Sequence, residues 1–211
     1  MAPLRIEAAN SVSVPVFTAK FLPECPLPSP VILNIEALES QYAITLEASS
    51  TISPCAFTKC FNLVASTSSG AYSTSSKGWS PSKKRKEMRL PDLRYLLLKS
   101  NSSSDASVEG FISFMLTYED GCEVIYCYEI HLSSRLRGYG VGKHLMRLME
   151  DVGRRVGVEK AMLTVFLENQ GGLAFYEKMG YHEDDYSPEP RKLRNGVVKK
   201  PDYIILSKPL T

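Results

Sequence analysis

The sequence predicts an α+β fold, with a mixed central sheet flanked by helices. Three observations carry that expectation. Residues 123–169 join a β-branched and aromatic run, a glycine-punctuated turn, a helix with an apolar stripe and a second apolar run. Upstream, apolar runs at 93–99 and 110–118 flank a polar stretch, and Glu119-Asp-Gly-Cys122 then turns the chain back, as an antiparallel meander requires. Downstream, helical and strand patterns alternate. The full order is helix, helix, meander, then β-α-β-α-β-β.

Taken in order, residues 1–30 hold six prolines and little periodicity, which predicts a flexible or draped extension. Residues 31–47 form at most one early strand. Residues 1–50 are therefore expected as an N-terminal extension, and 51–211 as the domain. Ser53-Pro54 is a helix start, a hydroxyl cap followed by proline, and Phe57, Cys60, Phe61 and Val64 follow at helical spacing. Residues 65–76, rich in Ser and Thr, weaken that helix but carry Tyr72. Ser80-Pro81 caps a second helix whose basic run, 83–89, reads as a solvated face. Strands at 93–99 and 110–118 enclose a polar hairpin loop at 101–107. In the central strand Val124, Ile125, Tyr126, Tyr128, Ile130 and Leu132 suit a mostly buried position. Val141, Leu145, Leu148, Met149 and Val152 then mark a helix. Strands at 161–166, 181–186 and 202–208 complete the sheet, with a loop at 187–200.

The 44% hydrophobic content is ample for a core, and a net charge of +2 gives no field that argues for nucleic acid or a membrane. Five cysteines, odd in number and without a C-x-x-C pair, suit reduced thiols in the cytoplasm or nucleus. His131, His144 and His182 lack metal-ligand spacing, so no metal is expected; their side chains read as structural or exposed. No apolar run reaches the roughly 20 residues of a membrane span. The first residues lack the basic flank and apolar core of a signal peptide, and Ala2 excludes myristoylation.

The glycine turn is the chemical landmark. Glycines let main-chain N–H groups converge, and a helix start adds unpaired donors with partial positive charge, so the stretch predicts an anion cradle. A P-loop would need a glycine at Arg137 and a hydroxyl at His144. A dinucleotide fingerprint would need a glycine at Lys143. Both fail. Arg-x-x-Gly-x-Gly fits as Arg137, Gly140 and Gly142, and also as Arg135, Gly138 and Gly140; the first register places Gly142 where the helix begins and Leu145 on its buried face. This pattern resembles the acetyl-CoA pyrophosphate loop of the GNAT acetyltransferase superfamily. Asn169, a helix carrying Tyr176, then Gly180-Tyr181 resemble that superfamily's second signature.

Between about residues 54 and 208 the chain also resembles the N-terminal acetyltransferase D (NatD) family, which acetylates the α-amine of histones 4 and 2A. The resemblance rests on Tyr72, on Gly78-Trp79 with its following basic run, and on Tyr126-Cys-Tyr-Glu129. It extends to Met162-Leu-Thr-Val-Phe166, Asp184-Asp185 before Ser187-Pro188, and Tyr203 with Ile205-Leu206. Thr117 stands where an acidic substrate residue is looked for, with Glu119 and Asp120 close by, and Tyr186 replaces a family serine. The lysine-rich beginning of some members is missing.

The resemblance implies acetyl-CoA as cofactor and a Ser-Gly-Arg-Gly histone terminus as partner, with no auxiliary subunit and no direct nucleic-acid contact. It implies a cofactor site formed by Ile130, His131 and Leu132 main chain, by Arg137, Gly138, Tyr139, Gly140, Val141, Gly142 and Lys143 at the pyrophosphate, and by Thr164 and Asn169. Tyr72, Tyr128, Asp185, Tyr186 and Tyr203 would line the peptide, with Asp184 and Glu129 opposing its charges. An α-amine has a pKa near ~8 against ~10.4 for lysine, so a weak base suffices. Glu129, acting through a water, is the candidate base, with Tyr128 beside it and Tyr176 as proton donor to the departing thiolate, its plain alternative being helix packing. In an ideal strand Tyr128 and Glu129 face opposite ways, so a β-bulge is needed to bring both to the site. Cys127 reads as packed rather than nucleophilic. Two other readings stay open: a GNAT acting on lysine or a small amine, and a non-catalytic module that binds CoA and histone.

Overall fold

A computed structural model describes residues 5–22, 31–35, 40–100, 107–192, 194–196 and 198–210. In chain order the elements are α1 (Arg5–Asn10), α2 (Val14–Phe21), β1 (Val31–Ile35), β2 (Ser40–Ala48), α3 (Pro54–Thr74), α4 (Pro81–Glu87), β3 (Arg94–Ser100), β4 (Val108–Glu119) and β5 (Cys122–Leu132). A 3-10 turn (Ser134–Leu136) leads to α5 (Val141–Val156), β6 (Lys160–Phe166), α6 (Gln170–Lys178), β7 (His182–Glu183), β8 (Arg191–Lys192), β9 (Val198–Lys199) and β10 (Tyr203–Pro209). Eight strands form one sheet in the order β1-β2-β3-β4-β5-β6-β10-β7, and β8 pairs with β9 apart from it. Among the described residues only β5 and β6 run parallel; the other pairs of the sheet are antiparallel. The expected mixed sheet is thus present.

Apolar side chains cover both faces of this sheet. One cluster joins it to α1, α2 and α5 through Phe17, Leu96, Ile125, Leu145 and Met149; the other joins it to α3 through Phe57, Phe61, Tyr95, Leu97 and Phe111. All five stripe residues of α5 are buried, as their spacing predicts. Asp120 and Gly121, both at positive φ, close the β4–β5 hairpin tightly.

Several elements differ from the sequence reading, each for a local reason. Residues 5–22 are not draped. Pro15 sits at the start of α2, where its missing N–H leaves no bond unmade, and Phe17 and Phe21 fall on one face, rings 4.9 Å apart. The guanidinium of Arg94 lies 4.1 Å over Phe17 and donates to Asn10 Oδ1 (2.8 Å) and the Ala9 carbonyl (3.2 Å), tying both helices to β3. Residues 31–48 make two strands rather than one. Helix α3 continues through its Ser/Thr-rich half, where Thr67 and Ser73 donate their hydroxyls to carbonyls four residues back and Thr74 donates to the Glu168 carboxylate (2.6 Å). The expected strand at 181–186 shrinks to β7, because Asp184 turns away to meet Lys160. The 187–200 loop carries the small β8–β9 hairpin, and most of the expected loop at 101–107 lies outside the described residues.

If α1 and α2 are part of the core, Phe17→Ala should cost about 3 kcal/mol or more, read as a fall in urea midpoint at unchanged slope. A loss below about 1 kcal/mol would return these helices to the status of an appendage.

Candidate active site

The site begins where a strand pair comes apart. Parallel pairing of β5 with β6 runs from Val124↔Lys160 to Cys127↔Leu163 and ends, although β5 continues to Leu132 and β6 to Phe166. Beyond it β5 stays paired with β4 and β6 with β10. Main-chain groups of residues 128–132 that would have met β6 face a cleft instead. That cleft holds about 390 Å³ and is lined by Tyr128 to Leu132, by Leu163 to Phe166, by Thr67 and Tyr72 of α3, and by Arg137, Gly142, Asn169 and Tyr176.

A bulge decides what faces it. Ser113 pairs with Glu129 but Phe114 with Cys127, so Tyr128 is the extra residue. Cys127, Ile130 and Leu132 consequently pack toward the α5 core, while Tyr128, Glu129 and His131 turn to the α3 side. The requirement that Tyr128 and Glu129 both approach one site is met.

The glycine loop follows β5 through the 3-10 turn. Gly138 and Gly140 take φ of 86° and 79°, conformations that a Cβ would strain. The first helical bond of α5 runs from His144 N to Gly140 O, which leaves the N–H groups of Val141, Gly142 and Lys143 without intrahelical partners. The two readings of the motif separate here. Arg135 is bonded to Glu109 (2.8 Å) and to the Tyr42 hydroxyl (3.0 Å), whereas Arg137 lines the cleft. The register of Arg137, Gly140 and Gly142 is the one that meets the cleft. Gly138, Tyr139, Gly140 and Lys143 are exposed at its mouth, and Val141 sends its side chain into the core, leaving only its N–H for a ligand. Open strand edge, glycine loop and helix start together fit a long acyl thioester carrying a pyrophosphate.

Glu129 is buried and held from three sides. Lys84 Nζ donates to Oε1 (2.8 Å), the Tyr72 hydroxyl donates to Oε1 (3.3 Å), and His131 Nε2 lies 2.5 Å from Oε2. Lys84 also donates to Glu87 Oε1 (2.8 Å) and to the Tyr72 hydroxyl (2.6 Å). Burial, the largest single effect, pushes the Glu129 carboxyl up, but the hydrogen bonds and charges of His131 and Lys84 together outweigh it and bring it down to about 2. Lys84 is raised: burial opposes its charge, and Glu129, Tyr72 and Glu87 more than restore it. Burial and the neighbouring Glu129 raise the Tyr72 phenol.

Here the sequence reading needs correcting. The basic run was expected to be a solvated face, and Lys83, Lys86 and Arg89 are exposed, but Lys84 is buried. Met88, one turn later and fully buried, marks the same inward face, so the helical phase set by Ser80-Pro81 carried the signal. His131, expected as structural or exposed, is buried and bonded, as the structural alternative requires, and lies beside Glu129, two residues away on the same strand face.

A second cavity, about 360 Å³, adjoins the first through shared walls of Tyr72, Cys127, Tyr128, Thr164 and Phe166. Its other lining includes Lys77, Glu87, Glu119, Asp120, Tyr126 and Met162. Burial, and then Asp120, raise the Glu119 carboxyl. Tyr126, expected in the core, borders this cavity, and its hydroxyl meets Thr164 Oγ1 at 2.6 Å. Tyr203 stands behind Lys77, whose ammonium lies 4.7 Å over its ring. Asp184 does not face the site: it is buried in an ion pair with Lys160 (2.6 Å). Asp185 and Tyr186 are exposed and line neither cavity. Asn169 does reach the cleft, although its Oδ1 is used to cap α6 at Gly172 N (2.9 Å). Tyr176 lines the cleft and packs edge-on against Tyr181; burial raises its phenol. Burial also raises the Cys127 thiol, in keeping with a packed role.

The sequence profile of the acetyltransferase (GNAT) family matches residues 64–181, more than half of the chain. The chain belongs to the GNAT acetyltransferase family. Acetyl-CoA is the donor that these acetyltransferases use. Among curated relatives, the chain is 33% identical over 122 residues to N-alpha-acetyltransferase 40 of Saccharomyces cerevisiae, a match covering 49% of this chain and 41% of the yeast protein. The chain spans about half, or less, of the length of the curated relatives it matches. Among solved structures, the NatC complex bound to Gag peptide and CoA is similar at a TM-score of 0.54 and 19% identity, covering 80% of this chain and 99% of that one. A GNAT family acetyltransferase from Elizabethkingia anophelis with acetyl-CoA bound is similar at 0.51 and 17%, covering 80% and 97%. These likenesses establish the fold.

The buried carboxylate has a stability signature. Its folded pKa lies below the unfolded one, so its contribution is complete above about pH 4.5 and is lost as pH falls toward 2. Between pH 6 and pH 2 the wild type should lose about 3 kcal/mol more than Glu129→Gln, measured by denaturant unfolding. Equal losses in the two proteins would mean that Glu129 is not clamped as described.

Proposed function

We propose that this chain is an N-terminal (α-amino) acetyltransferase, moving acetyl from acetyl-CoA to the N-terminal serine of histones 4 and 2A. The observation that carries the reading is the meeting of two cavities at Tyr72, Tyr128 and Thr164. One suits the cofactor. The other has three carboxylates, Glu87, Glu119 and Asp120, against a single lysine, together with aromatic walls. A Ser-Gly-Arg-Gly terminus offers little apolar surface to bury. It brings an α-ammonium and a guanidinium, which an acidic, hydrogen-bonding pocket recognises through charge-assisted bonds.

Bound acetyl-CoA supplies the activated thioester. The chain's residues then orient and exchange protons. Tyr72 and Tyr128 form the passage through which an amine reaches the cleft, and main-chain N–H groups near Ile130 are the donors for a developing oxyanion. The α-ammonium gives up one proton to this cluster, the freed lone pair forms the C–N bond as the C–S bond breaks, and the second N–H proton, lost as the amide forms, replaces through solvent the one that passes to sulfur. Tyr176, kept protonated by burial, is placed to protonate the leaving sulfur. Glu129 supplies the negative charge of the proton-accepting cluster. Transfer from an α-ammonium near ~8 to a carboxylate at about 2 would cost about 8 kcal/mol, so Glu129 works with its neighbours rather than alone.

A Ser-Gly-Arg-Gly-Lys peptide incubated with acetyl-CoA should gain one acetyl, located on the α-amine by mass spectrometry, and an N-terminally blocked peptide should gain none. Modification of the blocked peptide would instead favour a lysine acceptor, and no product would favour a binding module. Glu129→Gln should lower kcat about 100-fold while leaving the Kd for CoA within about 2-fold; equal loss of both would remove it from the chemistry. Glu119→Gln with Asp120→Asn should raise the peptide KM about 10-fold at unchanged KM for acetyl-CoA. An unchanged peptide KM would take this acidic rim out of peptide recognition.

A further inference from the structure

Beside Glu129 stands a group that neither the glycine loop nor the tyrosine set accounts for. His131 is 8% exposed, with its ring centroid 5.6 Å from that of Phe111, and both of its nitrogens are engaged. Nε2 lies 2.5 Å from Glu129 Oε2, and Nδ1 lies 2.6 Å from Thr67 Oγ1. Thr67 Oγ1 is in turn 2.7 Å from the Leu63 carbonyl. Thr67, Glu129 and His131 all border the cofactor cleft, and Thr67 is itself exposed.

Counting protons along this chain gives two states. A hydroxyl has one proton to donate. When Thr67 donates to the Leu63 carbonyl, Nδ1 must carry a hydrogen to bond the Thr67 oxygen. A further proton must lie between Nε2 and Oε2, because two acceptors do not approach to 2.5 Å unaided. The imidazole is then charged, opposite the Glu129 carboxylate. When Thr67 instead rotates its O–H toward Nδ1, the imidazole is neutral and its Nε2–H still serves Glu129. One proton is gained or lost by turning a single hydroxyl, and every heavy-atom contact survives. Hydroxyl, imidazole and carboxylate in this order form the arrangement in which a buried carboxylate fixes a tautomer and stabilises an imidazolium.

Glu129 is poorly suited to be the final acceptor. Oε1 already receives Lys84 and Tyr72, and Oε2 receives His131. Imidazole is the side chain whose ordinary proton affinity suits neutral pH. We propose that the proton leaving the acceptor amine is held on His131, with Glu129 as its buried counter-charge and Thr67 as the hydroxyl linking the imidazole to the cleft. This rests on the amine-acetylating reading above. The proton passes from the substrate ammonium through cleft solvent and Thr67 to Nδ1, and returns to solvent after the amide has formed. The other titratable groups around the pair are Tyr72 and Cys60 from α3, Lys84 and Glu87 from α4, Tyr95 from β3, Cys127 and Tyr128 from β5, and Tyr176 from α6.

The test is the pH dependence of His131→Gln, which keeps a donor for Glu129 but cannot take up a proton. With the Ser-Gly-Arg-Gly-Lys peptide, kcat/KM should fall about 100-fold at pH 7, the lower end of the usual range for losing a general base. The deficit should close to about 3-fold or less at pH 9.5, where an α-amine of pKa near ~8 is already neutral in solution. The KM for acetyl-CoA should stay unchanged, and the variant should remain folded at both pH values, with a lower Tm because Glu129 loses a charged partner. A deficit that is constant with pH, or no deficit, overturns the assignment. A second readout needs no turnover: the 15N chemical shifts of the His131 ring at pH 7, identified by their loss in His131→Gln, should move in both Glu129→Gln and Thr67→Val. Ring shifts that match the wild type in either variant also overturn it. Failure of the wild type to acetylate any peptide α-amine would sink the functional reading instead, and the ring shifts would still decide whether hydroxyl, imidazole and carboxylate are coupled.

Discussion

Everything at this site depends on one extra residue in β5. Were Tyr128 in register with β4, alternation would send Tyr128 and Glu129 to opposite faces, and Cys127 would share a face with Glu129. The bulge resets the phase. Apolar residues of the strand then keep the α5 core continuous while Tyr128, Glu129 and His131 collect under α3 and α4. It lies immediately past the last paired residue, Cys127, where β5 and β6 part. Opening of the cleft and delivery of the polar side chains therefore happen within two residues of one another.

Burying so many charges together requires mutual neutralisation. Lys84 and Glu129 are 4% and 8% exposed, and each is kept ionised by its partners, Glu129 by His131 and Lys84, and Lys84 by Glu129, Tyr72 and Glu87. Their pairing links the α4 helix to the central strand and fixes the Tyr72 hydroxyl between them. Tyr72 is also held through its ring by Trp79 and Phe166, so the wall between the two cavities is set by packing as well as by charge. Such a preformed polar cluster stabilises developing charge without reorganising at the moment of reaction.

The sheet was legible because its strands carry β-branched and aromatic runs and its turns carry glycine and proline in the right places. Gly140 and Gly142, Asn169 and Tyr176 stood out because their spacing is tied to backbone chemistry. The N-terminal helices were hidden: six and eight residues are too few to show a period, and one of the prolines that read as disorder, Pro15, in fact starts α2. Lys84 was hidden by its neighbours, since a run of cations looks solvated until the helix phase singles one out. His131 and Thr67 are 64 residues apart, and nothing local couples them. Asp184 misled in the opposite sense, because its partner Lys160 lies 24 residues upstream on another strand. Long-range pairings of charge are what a local pattern cannot carry.

The most direct test of the central claim is a crystal structure with CoA joined covalently to the α-amine of a Ser-Gly-Arg-Gly peptide. The CoA arm should follow the open edge of Tyr128 to Leu132, the peptide should pass between Tyr72 and Tyr128 into the cavity bordered by Glu119 and Asp120, and the amide nitrogen should lie within one water of Glu129. A peptide that leaves the cleft by any other route, with Glu129 and His131 remote from the junction, would contradict the account.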